Sequence, residues 1–164
     1  MTDRFIDIDL RLQRLYLWAS HPDGDHLLRE YPVSTATKGA GEQSGSYCTP
    51  RGRHRIAEKI GAGLPHNSVL VARMPTGEIW SPELDRQQPG RDWILSRILW
   101  LDGLESGRNR GGQVDTHARY IYIHGTHEEH RIGTPASHGC IRMKNSDVIE
   151  LFDLVEAGTE VRIG

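Results

Sequence analysis

Two cysteines in 164 residues, Cys48 and Cys140, do not make a disulfide framework, so this chain has to fold around a packed core. Long apolar runs are missing too, and no stretch has the length needed to span a bilayer. Charge of one sign is also missing. Twenty basic residues against 22 acidic ones give a formal charge of -2, which leaves no polyanion-binding footprint and argues against nucleic acid as a partner. There is no internal repeat, coiled-coil heptad or low-complexity tail. The opening residues Met1 to Asp9 lack the charged start, apolar run and small-residue cleavage site of an export signal. The expectation is therefore a cytoplasmic protein, or a periplasmic one if a leader has been removed.

What is present is an ordinary soluble composition, 37% hydrophobic and 26% charged. The length suits one domain over residues 1–164. Ile6, Ile8 and Leu10 alternate with Asp7 and Asp9, and Leu15, Leu17 and Ala19 alternate with Tyr16 and Trp18, which predicts two half-buried strands. A turn at Pro22 to Asp25 leads into a third strand, Leu27 to Val33, completing an antiparallel meander. Residues 34–55 read as a long functional or mobile loop. Ser68 to Arg73 and Glu78 to Trp80 read as short strands around a Pro75-Thr76-Gly77 turn. Trp93 to Leu101 reads as an amphipathic helix capped by Asp92 and ended by Gly103. The four glycines between Gly103 and His117 predict an exposed mobile loop. Arg119 to Ile123 is a predicted strand that delivers His124 at its end. A helix starting near Ser146, with Val148, Ile149, Leu151, Phe152 and Val155 on one face, precedes a closing strand from Glu160 to Ile163. The fold class is mainly β with a few helices.

Chemistry is concentrated in two segments, Ile123-His124-Gly125-Thr126 and Ser137-His138-Gly139-Cys140-Ile141-Arg142. A free thiol is only a few per cent thiolate at neutral pH, so a cysteine nucleophile needs an imidazole to take its proton. Acyl transfer also needs backbone N–H groups aimed at the developing oxyanion, and Gly139 gives the chain before Cys140 the freedom to present them. Either His124 or His138 has the chemistry to be the base. A histidine arriving from a separate strand has more freedom to sit beside the sulfur, which favours His124.

Blander readings compete with this one. A lone cysteine is more often a small buried hydrophobe, although the flanking His and Gly residues weigh against that here. His124, His127 and His130 recur every three residues, but the spacing is not that of His-Glu-x-x-His on a helix, and Gly133 and Pro135 argue for a loop. No metal is expected, and His127 and His130 read as a solvated loop. Ser137 lacks the Gly-x-Ser-x-Gly elbow of a serine nucleophile.

These two segments together resemble the signature of the L,D-transpeptidase (YkuD) catalytic domain family. Ile8-Asp9-Leu10 through Arg14 to Trp18, Tyr31 to Thr35, and Thr49 to Ile56 resemble its other recurrent segments, in order, so the likeness covers most of the chain. The resemblance implies a β-sandwich-like catalytic domain, no cofactor, and acyl transfer on peptidoglycan stem tetrapeptides or muropeptides. Cys140 would attack the amide between a diamino acid (diaminopimelate or lysine) and terminal D-alanine, forming a thioester. His124 would be the base, oriented by the Gly125 carbonyl, and the N–H groups of His138, Gly139 and Cys140 the oxyanion hole. Ser137, Tyr122 and Arg142 would contact substrate, with Arg142 holding a carboxylate, and carbapenem β-lactams would acylate the sulfur. The sequence departs from many members at Gly125, where they carry Ser, and at Arg142, where they carry Asn. Without an export signal, hydrolysis of returning muropeptides (L,D-carboxypeptidase action) is expected over cross-linking, with the 103–117 loop as a lid. A non-catalytic peptidoglycan-binding module is the reading from another class.

Overall fold

The computed structural model describes residues 3–164. In chain order its elements are β1 (Asp3–Asp9), β2 (Arg14–His21), β3 (Gly24–Pro32), β4 (Gly52–Ile60), β5 (Ser68–Val71), β6 (Met74–Ile79), α1 (Pro82–Gln87), β7 (Ile94–Gly103), β8 (Tyr122–Gly125), β9 (Ile141–Met143), α2 (Asn145–Leu154) and β10 (Glu160–Ile163). All ten strands belong to one mixed sheet, ordered β3-β2-β1-β10-β4-β7-β5-β6, with β8 pairing β7 and β9. The N-terminal meander forms as its alternation predicts, with Ile6, Ile8, Leu15 and Leu17 turned inward. β10 then pairs parallel with β1 and antiparallel with β4, tying the two ends of the chain together.

The main core gathers Ile6, Leu17, Ile56, Leu99, Ile123, Ile141 and Met143 from strands along the whole sheet, with Val148, Leu151 and Phe152 of α2. The sheet curls around this main core, and two smaller apolar clusters, Val69 with Trp93 and Leu95, and Leu70 with Ile98 and Tyr122, lie apart from it. No helix among the described residues is long and apolar enough to cross a membrane.

Four expected elements differ. The expected Pro75-Thr76-Gly77 turn lies within β6, and the hairpin turns at Ala72 and Arg73 instead, closed by the Val71–Met74 pair. Residues 94–103 form a strand, β7, and not a helix. Leu95, Ile98, Leu99 and Leu101 are all fully buried, because β7 lies mid-sheet and is covered on both faces. A strand of that kind has no alternation to show, and its apolar run imitates a helical stripe. The expected 34–55 loop ends at Gly52, where β4 begins. The expected strand from Arg119 starts only at Tyr122, because Tyr120 takes a positive φ of 56° in the preceding turn. One short helix, α1, had no predicted counterpart; Ser81 caps it by accepting from the Leu84 N–H at 3.1 Å, and Pro82 occupies its first turn.

The glycine-rich stretch after Gly103 is braced, which removes the basis for a mobile lid. Asn109 is fully buried, donating to the carbonyls of Arg51 and Arg53 at 3.0 and 3.1 Å and accepting from the Glu105 N–H at 2.9 Å. Asp115 accepts from the N–H groups of Gly111 and Ala118, and His54 bonds Thr116 at 2.9 Å. The glycines there serve tight turns and close packing: a Cβ on Gly103 would collide with the Asn109 carbonyl oxygen.

Candidate active site

The site is built where β8 and β9 run parallel, with Ile123 beside Ile141 and His124 beside Arg142. Side chains alternate across a strand, so Ile123, Ile141 and Met143 enter the main core while Tyr122, His124, Cys140 and Arg142 share the opposite face. β7 extends that face with Ile98 opposite His124 and Trp100 opposite Tyr122. His124 on β8 and Cys140 just before β9 thus stand one strand apart on a common face.

The loop before Cys140 is locked from several sides. Ser34 exchanges main-chain hydrogen bonds with Arg142, and the Thr35 carbonyl accepts from the N–H groups of Ala136 and Ser137. Thr49, fully buried, donates its hydroxyl to the Gly139 carbonyl at 2.9 Å and accepts from the Ala36 N–H. Gly139 itself has a φ of +129°, and a Cβ there would sit 3.1 Å from the Cys48 carbonyl oxygen. This position needs glycine both for its dihedral and for its space.

The sulfur of Cys140 is only partly exposed. It accepts from the Tyr122 N–H at 3.3 Å and points its own hydrogen toward the Tyr120 carbonyl, also at 3.3 Å. Burial pushes the thiol up to about 11, against the lowering effects of the Tyr122 N–H and the Arg142 and Arg119 cations. His124 is buried and its Nδ1 lies 2.7 Å from the Gly125 carbonyl. A carbonyl only accepts, so Nδ1 carries the proton and Nε2 is left with a free lone pair. Burial lowers this imidazole to about 4. Both groups therefore rest neutral at pH 7, and no hydrogen bond joins them: the thiol's hydrogen goes to the Tyr120 carbonyl and the imidazole's to that of Gly125.

The other sequence-chosen residues fall into different places. His138 is exposed and its ring stands edge-on to Tyr47 at 6.0 Å. Ser137 is buried, its Oγ donating to the Cys140 carbonyl at 2.6 Å and accepting from the Gly139 N–H at 3.2 Å. It braces the loop from inside, and it occupies the Gly139 N–H that was expected to face an oxyanion. The N–H groups of His138 and Cys140 have no acceptor among the described residues. Arg142 is mostly buried and gives Nη1 to Glu128 at 3.1 Å and to the Ala136 carbonyl, so much of its charge is already met within the chain. The Tyr122 hydroxyl accepts from Arg73 at 3.1 Å. Gly125 is required by packing, since a Cβ there would collide with the Asn145 Oδ1 and lie 2.7 Å from the Leu95 carbonyl. His127 is not a solvated loop residue: it lies half-buried between the rings of Trp80 and Trp93, 5.9 and 6.5 Å away.

Residues that pattern reading passed over include Arg119, which donates to the carbonyls of Gly41, Glu42 and Cys48 and ties the 41–48 loop to the sulfur's surroundings. Nothing local marks it, because its partners are more than seventy residues away. Arg73, Trp100 and Tyr120 were missed for the same reason. Thr49 did stand inside a motif, but its hydroxyl contact to Gly139 is tertiary.

Known proteins resemble this chain both in sequence and in fold. A family model for the L,D-transpeptidase catalytic domain, YkuD, matches residues 3–163. A Bacillus subtilis protein bearing the name L,D-transpeptidase YkuD is 44% identical over 116 residues, covering 67% of this chain and 65% of its own length. A Fuscovulum blasticum protein from the ATP synthase region, also named for an L,D-transpeptidase, is 32% identical over 120 residues, covering 68% of this chain and 59% of its own. The chain thus spans somewhat less than two thirds of either relative. Among solved structures, an L,D-transpeptidase from Mycobacterium smegmatis superposes with a TM-score of 0.60 at 17% identity, over 99% of this chain and 59% of that one. L,D-transpeptidase 3 from Mycobacterium tuberculosis, in complex with a faropenem-derived adduct, gives 0.56 at 15%, over 99% and 60%. At those identities the structural likeness speaks for the fold.

Proposed function

The chain belongs to the L,D-transpeptidase (YkuD) catalytic domain family, and from that premise we propose that Cys140 is the nucleophile and His124 the base of acyl transfer on peptidoglycan stem tetrapeptides. The observation that carries this reading is the shared face of β8 and β9. It sets the partly exposed sulfur, held by the Tyr122 N–H, on the same side as an imidazole whose free nitrogen is Nε2.

The resting pair is neutral, so proton transfer accompanies attack. Nε2 of His124 takes the thiol proton as the sulfur bonds to the carbonyl carbon joining the diamino acid's L-centre to D-alanine. The oxyanion meets the N–H groups of His138 and Cys140, the two donors the loop leaves without an acceptor. Collapse breaks the C–N bond, His124 returns its proton to the departing amine, and D-alanine leaves a thioester on Cys140. Water then attacks with His124 again as base, restoring the thiol and releasing a tripeptide. Water reaches a partly exposed thioester without a binding site of its own, so L,D-carboxypeptidase action is the reading we favour. Transfer to a second peptide's amine, giving a cross-link, is the alternative. Muropeptides in the cytoplasm are the substrate pool this proposal assigns.

Incubation with a disaccharide tetrapeptide and mass analysis of the products tests it. Loss of D-alanine alone supports hydrolysis, dimers or D-amino-acid exchange support transfer, and no turnover with ligand binding retained in Cys140→Ala supports a binding module. A carbapenem adduct on Cys140 would independently report a competent nucleophile, in keeping with the faropenem-derived adduct named for the mycobacterial neighbour.

A further inference from the structure

Three arginines lie around the sulfur and the tyrosines that hold it, and they differ in how their charge is met. Arg142 is paired with Glu128 at 3.1 Å. Arg119 spends its donors on main-chain carbonyls and the Ser46 hydroxyl. Arg73 has no carboxylate within ion-pair distance among the described residues; its one hydrogen bond runs from Nη1 to the Tyr122 hydroxyl. Glu58 is the carboxylate whose charge reaches it from farther off.

Arg73 is nonetheless held in place. Its guanidinium carbon lies 5.0 Å from the Trp100 ring centroid and 4.9 Å from that of Tyr120. Trp100 is in turn stacked on His117 at 3.8 Å and edge-on to Tyr122 at 5.8 Å. The two-residue turn of the β5–β6 hairpin, closed by the Val71–Met74 pair, consists of Ala72 and Arg73 with φ of 47° and 65°. Left-handed backbone at two consecutive non-glycine residues is strained, and a turn that prefers Asn-Gly here carries Ala-Arg. The residues under the guanidinium are those that hold the sulfur: Tyr120 through its carbonyl and Tyr122 through its N–H.

We propose that Arg73 is the carboxylate-reading residue of this site, its Nε and Nη2 edge receiving a free carboxylate of the peptide acyl donor. Resting on the acyl-transfer reading above, this names the substrate feature that the site selects. Nη1 is the only nitrogen engaged, so the remaining edge is open for a paired, charge-assisted contact. The aromatic platform holds the fork in advance of binding, so little rotamer freedom remains to be lost. The carboxylate has two sources, the terminal D-alanine and the diaminopimelate side chain.

The test compares kcat/KM for a diaminopimelate tetrapeptide with its C-terminal amide and with its side-chain amide, using wild type, Arg73→Gln and Arg73→Lys. The wild type is expected to prefer the free acid about tenfold or more in one arm, which identifies the source. Arg73→Gln should shrink that same preference to about twofold, and Arg73→Lys, a charge without the fork, should keep part of it. A second measurement needs no turnover: the ratio of Cys140 alkylation by anionic iodoacetate to that by neutral iodoacetamide, at low salt. That ratio should fall severalfold in Arg73→Gln. An unchanged ratio, or an acid preference untouched by the substitution, overturns the assignment, as does an equal loss on acids and amides. If the wild type turns over no peptide, the acyl-transfer reading fails, while the alkylation ratio still decides Arg73.

Discussion

The main-chain N–H of Tyr122 lies 3.3 Å from the sulfur of Cys140, across the first step of the parallel β8–β9 pairing. A strand that would otherwise continue its ladder gives that donor to a side chain instead. The sulfur's position is thereby fixed by backbone geometry, and a neighbouring strand supplies both the hydrogen bond and, two residues later, His124.

Loss of either member of the pair should abolish turnover without unfolding the protein. Cys140→Ser and His124→Gln are each expected to lower kcat by about a thousandfold or more. His138→Gln should cost less than tenfold, because that ring faces Tyr47. Steady-state kinetics with circular dichroism as the folding control checks this.

The reactivity of the thiol should rise with pH well past neutrality. Burial raises Cys140 to about 11, so the thiolate fraction, and with it the rate of iodoacetamide labelling, should climb through pH 8 to 10. Peptide-resolved mass spectrometry separates Cys140 from Cys48. A labelling rate that levels off near pH 7 would reveal a preformed thiolate. Catalysis itself should fade only as pH drops toward about 4, where His124 gains a proton and can no longer accept one.

Acid should weaken the fold before it protonates the buried imidazoles. His54 is fully buried between the Gly52 carbonyl and the Thr116 hydroxyl, and burial lowers it from 6.5 to about 4. Above pH 6.5 both folded and unfolded chains hold this residue neutral, so its effect there is nil. Between 6.5 and about 4 the unfolded chain takes up the proton and the folded chain does not, so stability falls with pH. At about 1.4 kcal/mol per pH unit the loss is about 3 kcal/mol for this residue. Urea melts at pH 7 and pH 4.5 measure it, with His54→Gln removing this residue's share and the equally lowered His124 keeping its own.

Gly125→Ala should destabilise the protein through one methyl group. Its Cβ would press on Asn145 and on the Leu95 carbonyl. Asn145 has little room to give, because it accepts from Ser96 and donates to Thr126 and Glu129. A cost of about 1–3 kcal/mol is expected, read as a lowered Tm, with Asn145→Ala partly restoring the double variant.

Ser137→Ala should slow catalysis more than it alters binding. Without Oγ the Gly139 N–H and the Cys140 carbonyl lose their common brace, and the loop that aims the His138 and Cys140 N–H groups loosens. A fall in kcat of about ten- to a hundredfold with little change in KM would bear this out.

How much could be read without coordinates follows from how far each signal reaches along the chain. The strands from Ile6 to Ala19 and the helix after Cys140 showed their periods because each has one wet face and one dry face. β7 hid its nature because it has two dry ones. The His124 and Cys140 segments were legible as chemistry, since a thiol, two imidazoles and glycines placed so close together along a chain are the parts of a sulfur nucleophile. That His124 is the imidazole sharing the sulfur's face was favoured by its arrival from a separate strand, but the facing itself depends on strand pairing.

By itself, the order of residues determined the class of fold, the family and the pair of segments that carry the chemistry, since these depend on local period and on residue type. Only the tertiary structure decided that His138 turns outward, that Ser137 is a brace, that Arg142 is already paired and that Arg73 stands against Tyr120 and Tyr122. The physical reason is range. Side-chain period acts over a few residues, whereas partnership between charges, donors and rings is settled by a register that joins strands dozens of positions apart.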